Sequence, residues 1–289
     1  MWRWVVVSAA AVLMTAGCGQ GHRSDGRAQV VTSFYPLQYV AERIGGVHVQ
    51  VSNLTAPGVE PHDLELAPRQ VADLSAADVV VYEKGLQPSV DQAIANDTPA
   101  RSVDAAAVVS LRPGDGGVDP HFWQDPTLLA EVADVFTTTM VRADPAHAAD
   151  YRAGDRRLQD DLTLLDRELR AGLRTCRTRS VVVSHDAFEY LARRYGLQVH
   201  AIAGLSPDAE PSAQRLSQLG ALARATHVTT VFSERLASPK LADTLAGELG
   251  LTTAVLDPIE GLSSSDPHAD YLSLMRANLA ALRTAGGCT

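Results

Sequence analysis

Metal coordination needs lone-pair side chains held on a rigid frame, and four residues of this 289-residue chain are placed for it. His62 lies in the Pro/Gly-rich stretch APGVEPHDLEL, and His121 lies in GVDPHFWQDP, just ahead of a helix start at Asp125-Pro126. His185 directly follows the β-branched run at 181–184. Asp257 follows another run, at 253–256, and precedes Pro-Ile-Glu-Gly. Three imidazoles and one carboxylate would complete the four-coordinate shell of a borderline divalent cation such as zinc. The intervals of 59, 64 and 72 residues match no short zinc-binding pattern, so the residues permit a split metal site without fixing one. Imidazoles near their reference pKa of about 6.5 would make affinity fall below about pH 6.

Glu60 and Glu210 offer carboxylates that could orient such imidazoles from behind, with a surface position as the competing reading for Glu60. His22, His48, His147, His200, His227 and His268 lack a loop of this kind and read as surface or core histidines. Ser184-His185-Asp186 spells the residue types of a hydrolase triad, but consecutive side chains diverge and cannot form the required relay. Phosphate-binding glycine loops and HExxH are absent, so no catalytic residue is expected.

The frame around these residues alternates. Short β-branched runs at 30–34, 47–54, 79–82, 181–184, 199–203, 228–233 and 253–256 are separated by amphipathic helical segments, which predicts parallel α/β sheets. Ligands of such sheets sit beyond the carboxyl ends of strands, where His62, His185 and Asp257 fall. Between the two groups, Leu158, Leu162, Leu165 and Leu169 recur on one helical stripe, with Asp144 as the expected N-cap and Pro145 at the first helical position. The expected organisation is an N-terminal lobe at 29–143, a rigid linking helix at 144–174 and a C-terminal lobe at 175–289. A linker of about 42 Å would leave little hinge closure.

The beginning of the chain carries Arg3, an apolar run at 5–14 and small residues leading to Cys18. The run is too short for the roughly 20 residues of a membrane-spanning helix, so 1–17 reads as an export signal. Cleavage there would leave Cys18 as a lipidated terminus and 18–28 as a polar tether, anchoring a monomer to the outer face of a bacterial cytoplasmic membrane. A net charge of −9 argues against a nucleic-acid surface, and 46% apolar residues suffice to fill the cores. Outside the cytoplasm, Cys176 and Cys288 read as a disulfide rather than a metal pair.

The segments VTSFYPLQYVAERIGG, GVEPHDLELAPRQVADLSAADVVVY, DPHFWQDP, VVVSHDAFEYLARRYGL, AEPSAQRLSQL and AVLDPIEGL resemble, in order and spacing, the zinc/manganese family (cluster A-I) of ABC-transporter solute-binding lipoproteins. The resemblance covers nearly all of 29–285. It implies two similar α/β lobes with mainly parallel four-stranded sheets, one long joining helix and a metal between the lobes. It also implies delivery to a membrane permease with a cytoplasmic ATPase. Carried over by motif, the ligands are His62, His121, His185 and Asp257. The segment RPGDGGVD lacks the His-rich insertion of many zinc members, and manganese members commonly place Glu where this chain has His185, so zinc is expected and manganese is the alternative. A zinc hydrolase, which would keep one coordination position open for water, and a surface adhesin are the competing functions.

Overall fold

The structure is a computed structural model that describes residues 26–96, 101–114, 117–207, 209–264, 266 and 269–289. The expected signal, Cys18, the tether up to residue 25, His22 and His268 lie outside the described residues.

The first lobe runs β1 (Ala28–Thr32), α1 (Tyr35–Gly45), β2 (Val49–Asn53), α2 (Pro68–Ala76), β3 (Val79–Tyr82), α3 (Pro88–Asn96), β4 (Ser102–Asp104) and α4 (Ala105–Val108). A hairpin, β5 (Arg112–Gly114) and β6 (Gly117–Asp119), then leads into α5 (Pro126–Ala143). The strands of the main sheet are all parallel in the order β2-β1-β3-β4. Its middle is apolar on both faces because helices cover both: Val79, Val80 and Val81 of β3 are all fully buried. Both strands of the pair lie within the RPGDGGVD segment.

After α6 (Ala148–Gly172), the second lobe repeats the plan with β7 (Ser180–Val183), α7 (Glu189–Tyr195), β8 (Gln198–Ala201), α8 (Ala213–Ala225), β9 (Thr230–Ser233), α9 (Lys240–Leu249), β10 (Thr252–Val255) and α10 (Tyr271–Gly286). Its sheet is parallel in the order β10-β9-β7-β8. Among the described residues no helix is long and apolar enough to cross a membrane.

The long helix α6 joins the two. Its expected stripe, Leu158, Leu162, Leu165 and Leu169, is fully buried, each side chain contributing about 1.5–3 kcal/mol. The start differs from expectation: a 3-10 turn covers Pro145–His147 and α6 begins at Ala148. Asp144 cannot cap it, because its Oδ2 accepts from Tyr151 Oη and pairs with His147 Nδ1, both at 2.6 Å. One apolar core runs from Phe34 and Trp123 through Leu158 and Leu165 to Tyr271 and Met275, so both lobes share a continuous interior with α6 in it. At Gly154 the helix passes so close to α1 that an added Cβ would stand 2.5 Å from the Ile44 carbonyl oxygen. Arg43 of α1 pairs with Asp161, while Arg194 of α7 pairs with Asp166 at 2.6 Å and with Asp125 at 3.1 Å. A shared core and pairs to both lobes make α6 a stiff spine.

Cys176 and Cys288 are joined in a disulfide. The backbone N–H groups of Arg177 and Thr178 both donate to the Gly286 carbonyl, at 2.9 and 3.2 Å, so the chain end is fastened to the entry of the second lobe by hydrogen bonds as well.

Candidate metal centre

The carboxyl ends of both sheets face each other, and their loops supply the site. His62 comes from the loop between β2 and α2. Buried Gln87 pins that loop by donating to Pro61 O at 3.1 Å and Thr55 Oγ1 at 3.0 Å. His121 follows β6 and enters the 3-10 turn Phe122–Gln124, which runs into α5 capped by Asp125. His185 follows β7, as expected. The carboxylate, however, comes from Glu260, three residues beyond the expected Asp257.

His62, His121, His185 and Glu260 offer ligand atoms that all lie within 4.8 Å of one another. Glu260 Oε1 stands 3.5, 3.0 and 3.3 Å from the Nε2 atoms of His62, His121 and His185. These are close approaches, yet none is aligned as a hydrogen bond. All three Nε2 atoms and both Glu260 oxygens are buried without a hydrogen-bond partner. Orphaned buried polar atoms are costly and rare unless something else satisfies them. A tetrahedral zinc with ligands at about 2.0–2.2 Å has edges of roughly 3.3–3.6 Å, so this donor set fits a zinc ion in chemistry, and the three distances from Glu260 Oε1 come near such edges.

Two further carboxylates set the direction of the rings. Asp119 Oδ1 faces His121 Nδ1 at 2.8 Å and also accepts from the His121 backbone N–H at 2.9 Å. Glu234 Oε1 does the same for His185, at 2.6 Å from Nδ1 and 3.2 Å from the backbone nitrogen. With Nδ1 engaged in this way, Nε2 is left to face the ion, and the ligand becomes more basic.

The electrostatics follow from burial against these pairings. Burial pushes the His185 pKa down, but Glu234 and then Glu260 outweigh it and hold it well above the ordinary value of 6.5. His121 is likewise raised, burial being overcome by Asp119 and Glu260. Glu260 would be pushed up by burial, yet the three imidazoles hold it well below the usual carboxylate range. Glu60 is pushed up to about 9, first by burial and then by the charge of Glu260.

Asp257 is outside the group because both its oxygens are engaged. Oδ1 accepts from the Ile259 N–H at 2.8 Å, and Oδ2 accepts from Arg235 Nε at 2.8 Å. The turn that holds Asp257 back carries Glu260 forward. Glu60 lies beside the site but touches the backbone of His62, at 3.4 Å, rather than its ring. Glu210 is exposed on the loop before α8. Ring orientation is instead the work of Asp119 and Glu234. Asp119 had a signal in the sequence, standing two residues before His121, whereas Glu234, just after β9, had none that tied it to His185.

The model of the family described as "Zinc-uptake complex component A periplasmic" matches residues 30–285. The chain is 33% identical over 309 residues to the high-affinity zinc uptake system protein ZnuA of Bacillus subtilis, covering 98% of this chain and 97% of that one. It is similar to the Zn(II)-bound ZnuA-like domain of Streptococcus pneumoniae AdcA, with a TM-score of 0.80 and 33% identity over 90% of this chain and 99% of that one. The laminin-binding protein Lmb of Streptococcus agalactiae, described as a bifunctional protein with adhesin and metal-transporting activity, gives a TM-score of 0.82 at 28% identity, covering 90% and 99%. With the family model matched over nearly all the described chain, and with a buried His3Glu cluster between two parallel-sheet lobes, the protein belongs to the zinc-uptake component A family of ABC-transporter solute-binding proteins, which are not enzymes.

Proposed function

We propose that this chain captures one zinc ion between its lobes through His62, His121, His185 and Glu260 and delivers it to a membrane permease powered by a cytoplasmic ATPase. The observation that carries this is the convergence of three buried, unpartnered Nε2 atoms on one Glu260 oxygen at 3.0–3.5 Å. Four protein ligands close a zinc shell, which suits capture; a catalytic zinc keeps a position for water. Three nitrogens and one oxygen favour zinc over manganese, which prefers oxygen-rich, higher-coordinate shells and lies at the weak end of the divalent affinity order.

In this reading the division falls at 29–143, 144–174 and 175–289, the protein acts as a monomer, and Cys18 carries the lipid anchor that keeps it beside its permease. Replacing Cys18 by Ser should release the protein from the membrane; normal processing with unchanged retention would remove the anchor from the account. The cargo is tested by metal analysis of protein purified without added metal, followed by competition between zinc and manganese. Zinc at one equivalent, displaced by manganese only in large excess, is expected. Tighter manganese binding would overturn the assignment.

A further inference from the structure

The turn that presents Glu260 is built differently from the loops that present the histidines. Ile259 has a φ of +61°, and its β-branched side chain is fully buried. A side chain with a Cβ reduces the population of this left-handed conformation by a factor of roughly 5–30, and residues so held cluster at ligand clamps. Surrounding structure must impose the shape, and here it comes from three directions. Asp257 Oδ1 holds the Ile259 N–H, with Asp257 itself fixed by Arg235. From α10, Asn278 accepts from the Asp257 N–H at 2.8 Å and donates to the Asp257 carbonyl at 2.6 Å. From the first lobe, Trp123 Nε1 donates to Pro258 O at 2.7 Å and Gln124 Nε2 donates to the same carbonyl. The last two donors stand two and three residues after His121, so the turn carrying one ligand is gripped by the turn carrying another.

We infer that Asp257 and Ile259 are positioning residues that hold the turn at 257–260 in a strained shape presenting Glu260 to the ion, a shape that relaxes when the ion leaves and the lobe contact through Pro258 loosens. This rests on Glu260 being a zinc ligand. The strain then subtracts from zinc affinity and favours release, and Glu260 withdraws together with the contact between lobes. The three histidines, on loops without such strain, stay in place.

Alanine and glycine at position 259 separate backbone from packing. Both remove the buried side chain; only glycine accepts a φ of +61° without cost. Zinc affinity by chelator competition and zinc release into excess chelator are measured on the purified Ile259→Ala and Ile259→Gly proteins, with thermal melts of both. The expected result is that the glycine protein binds zinc roughly fivefold or more tighter than the alanine protein and releases it more slowly. Asp257→Asn keeps an acceptor for the Ile259 N–H and should recover much of the affinity lost in Asp257→Ala. Equal zinc affinity of the alanine and glycine proteins would overturn the inference, since the strain would then belong to the fold in both states. Should either Ile259 variant fail to fold, the Asp257 pair decides, and equal affinity of Asp257→Ala and the native protein overturns it. Glu260→Ala separates the two readings. Native affinity in that variant removes Glu260 as a ligand, whereas weak binding there with equal alanine and glycine proteins removes only the strained turn.

Discussion

The acid sensitivity of zinc binding can be worked directly from the site. An imidazole must be unprotonated at Nε2 to bind metal, so every proton held by the metal-free site competes with zinc. His121 and His185 are both raised above 6.5, by Asp119 and Glu234 and by the facing Glu260, against the opposing effect of burial. The metal-free site therefore holds at least one proton at neutral pH, and each proton displaced makes affinity fall about tenfold per unit of pH below the pKa concerned. Two such groups over two pH units predict a fall of more than about tenfold, and of at most about ten-thousandfold, between pH 8 and pH 6. Unshifted imidazoles would have delayed that fall to below about pH 6.5. Metal-free stability moves the other way. The raised histidines contribute stability that is fully present below the unfolded value of about 6.5 and is lost as pH rises through their folded values. Glu260, lowered in the fold, contributes stability present above about 4.3 and lost as pH falls through its folded value. The melting-temperature gain on adding zinc should thus widen from pH 6 to pH 8. Calorimetry in buffers of different ionisation enthalpy counts the protons released at pH 7. Release of none, with affinity flat from pH 8 to 6.5, would refute the reasoning.

Glu234→Ala should cost about 10- to 100-fold in zinc affinity, because His185 loses the partner of its Nδ1; chelator competition reads this, and unchanged affinity would make the contact ornamental. Cys288→Ser should lower stability by about 2–5 kcal/mol in denaturant unfolding, with a zinc stoichiometry of one retained. His185→Glu trades nitrogen for oxygen and should move the metal preference toward manganese; competition calorimetry showing the native zinc preference would contradict that.

The parallel α/β lobes were legible because strand and helix periodicities alternate without interruption and the Leu stripe of α6 allows one face only. The loop histidines were legible from Pro-His contexts and strand ends. The carboxylate was harder. Asp257 and Glu260 follow the same strand, and what separates them is Ile259 in a left-handed conformation, for which a β-branched residue gives no warning. Glu234 was hidden for another reason: it reaches His185 across the sheet, from 49 positions away in sequence. The helix start moved from Asp144 to Ala148 because Tyr151, seven residues on, and His147 took the carboxylate expected as a cap.

A zinc-loaded crystal structure with anomalous data at the zinc edge tests the ligand set most directly. The account predicts one ion with Nε2 of His62, His121 and His185 at about 2.0–2.1 Å and a Glu260 oxygen at about 2.0–2.2 Å, Asp257 remaining on Arg235 and the Ile259 N–H. An ion bound by Asp257 with Glu260 turned away, or lying outside this cluster, would contradict it.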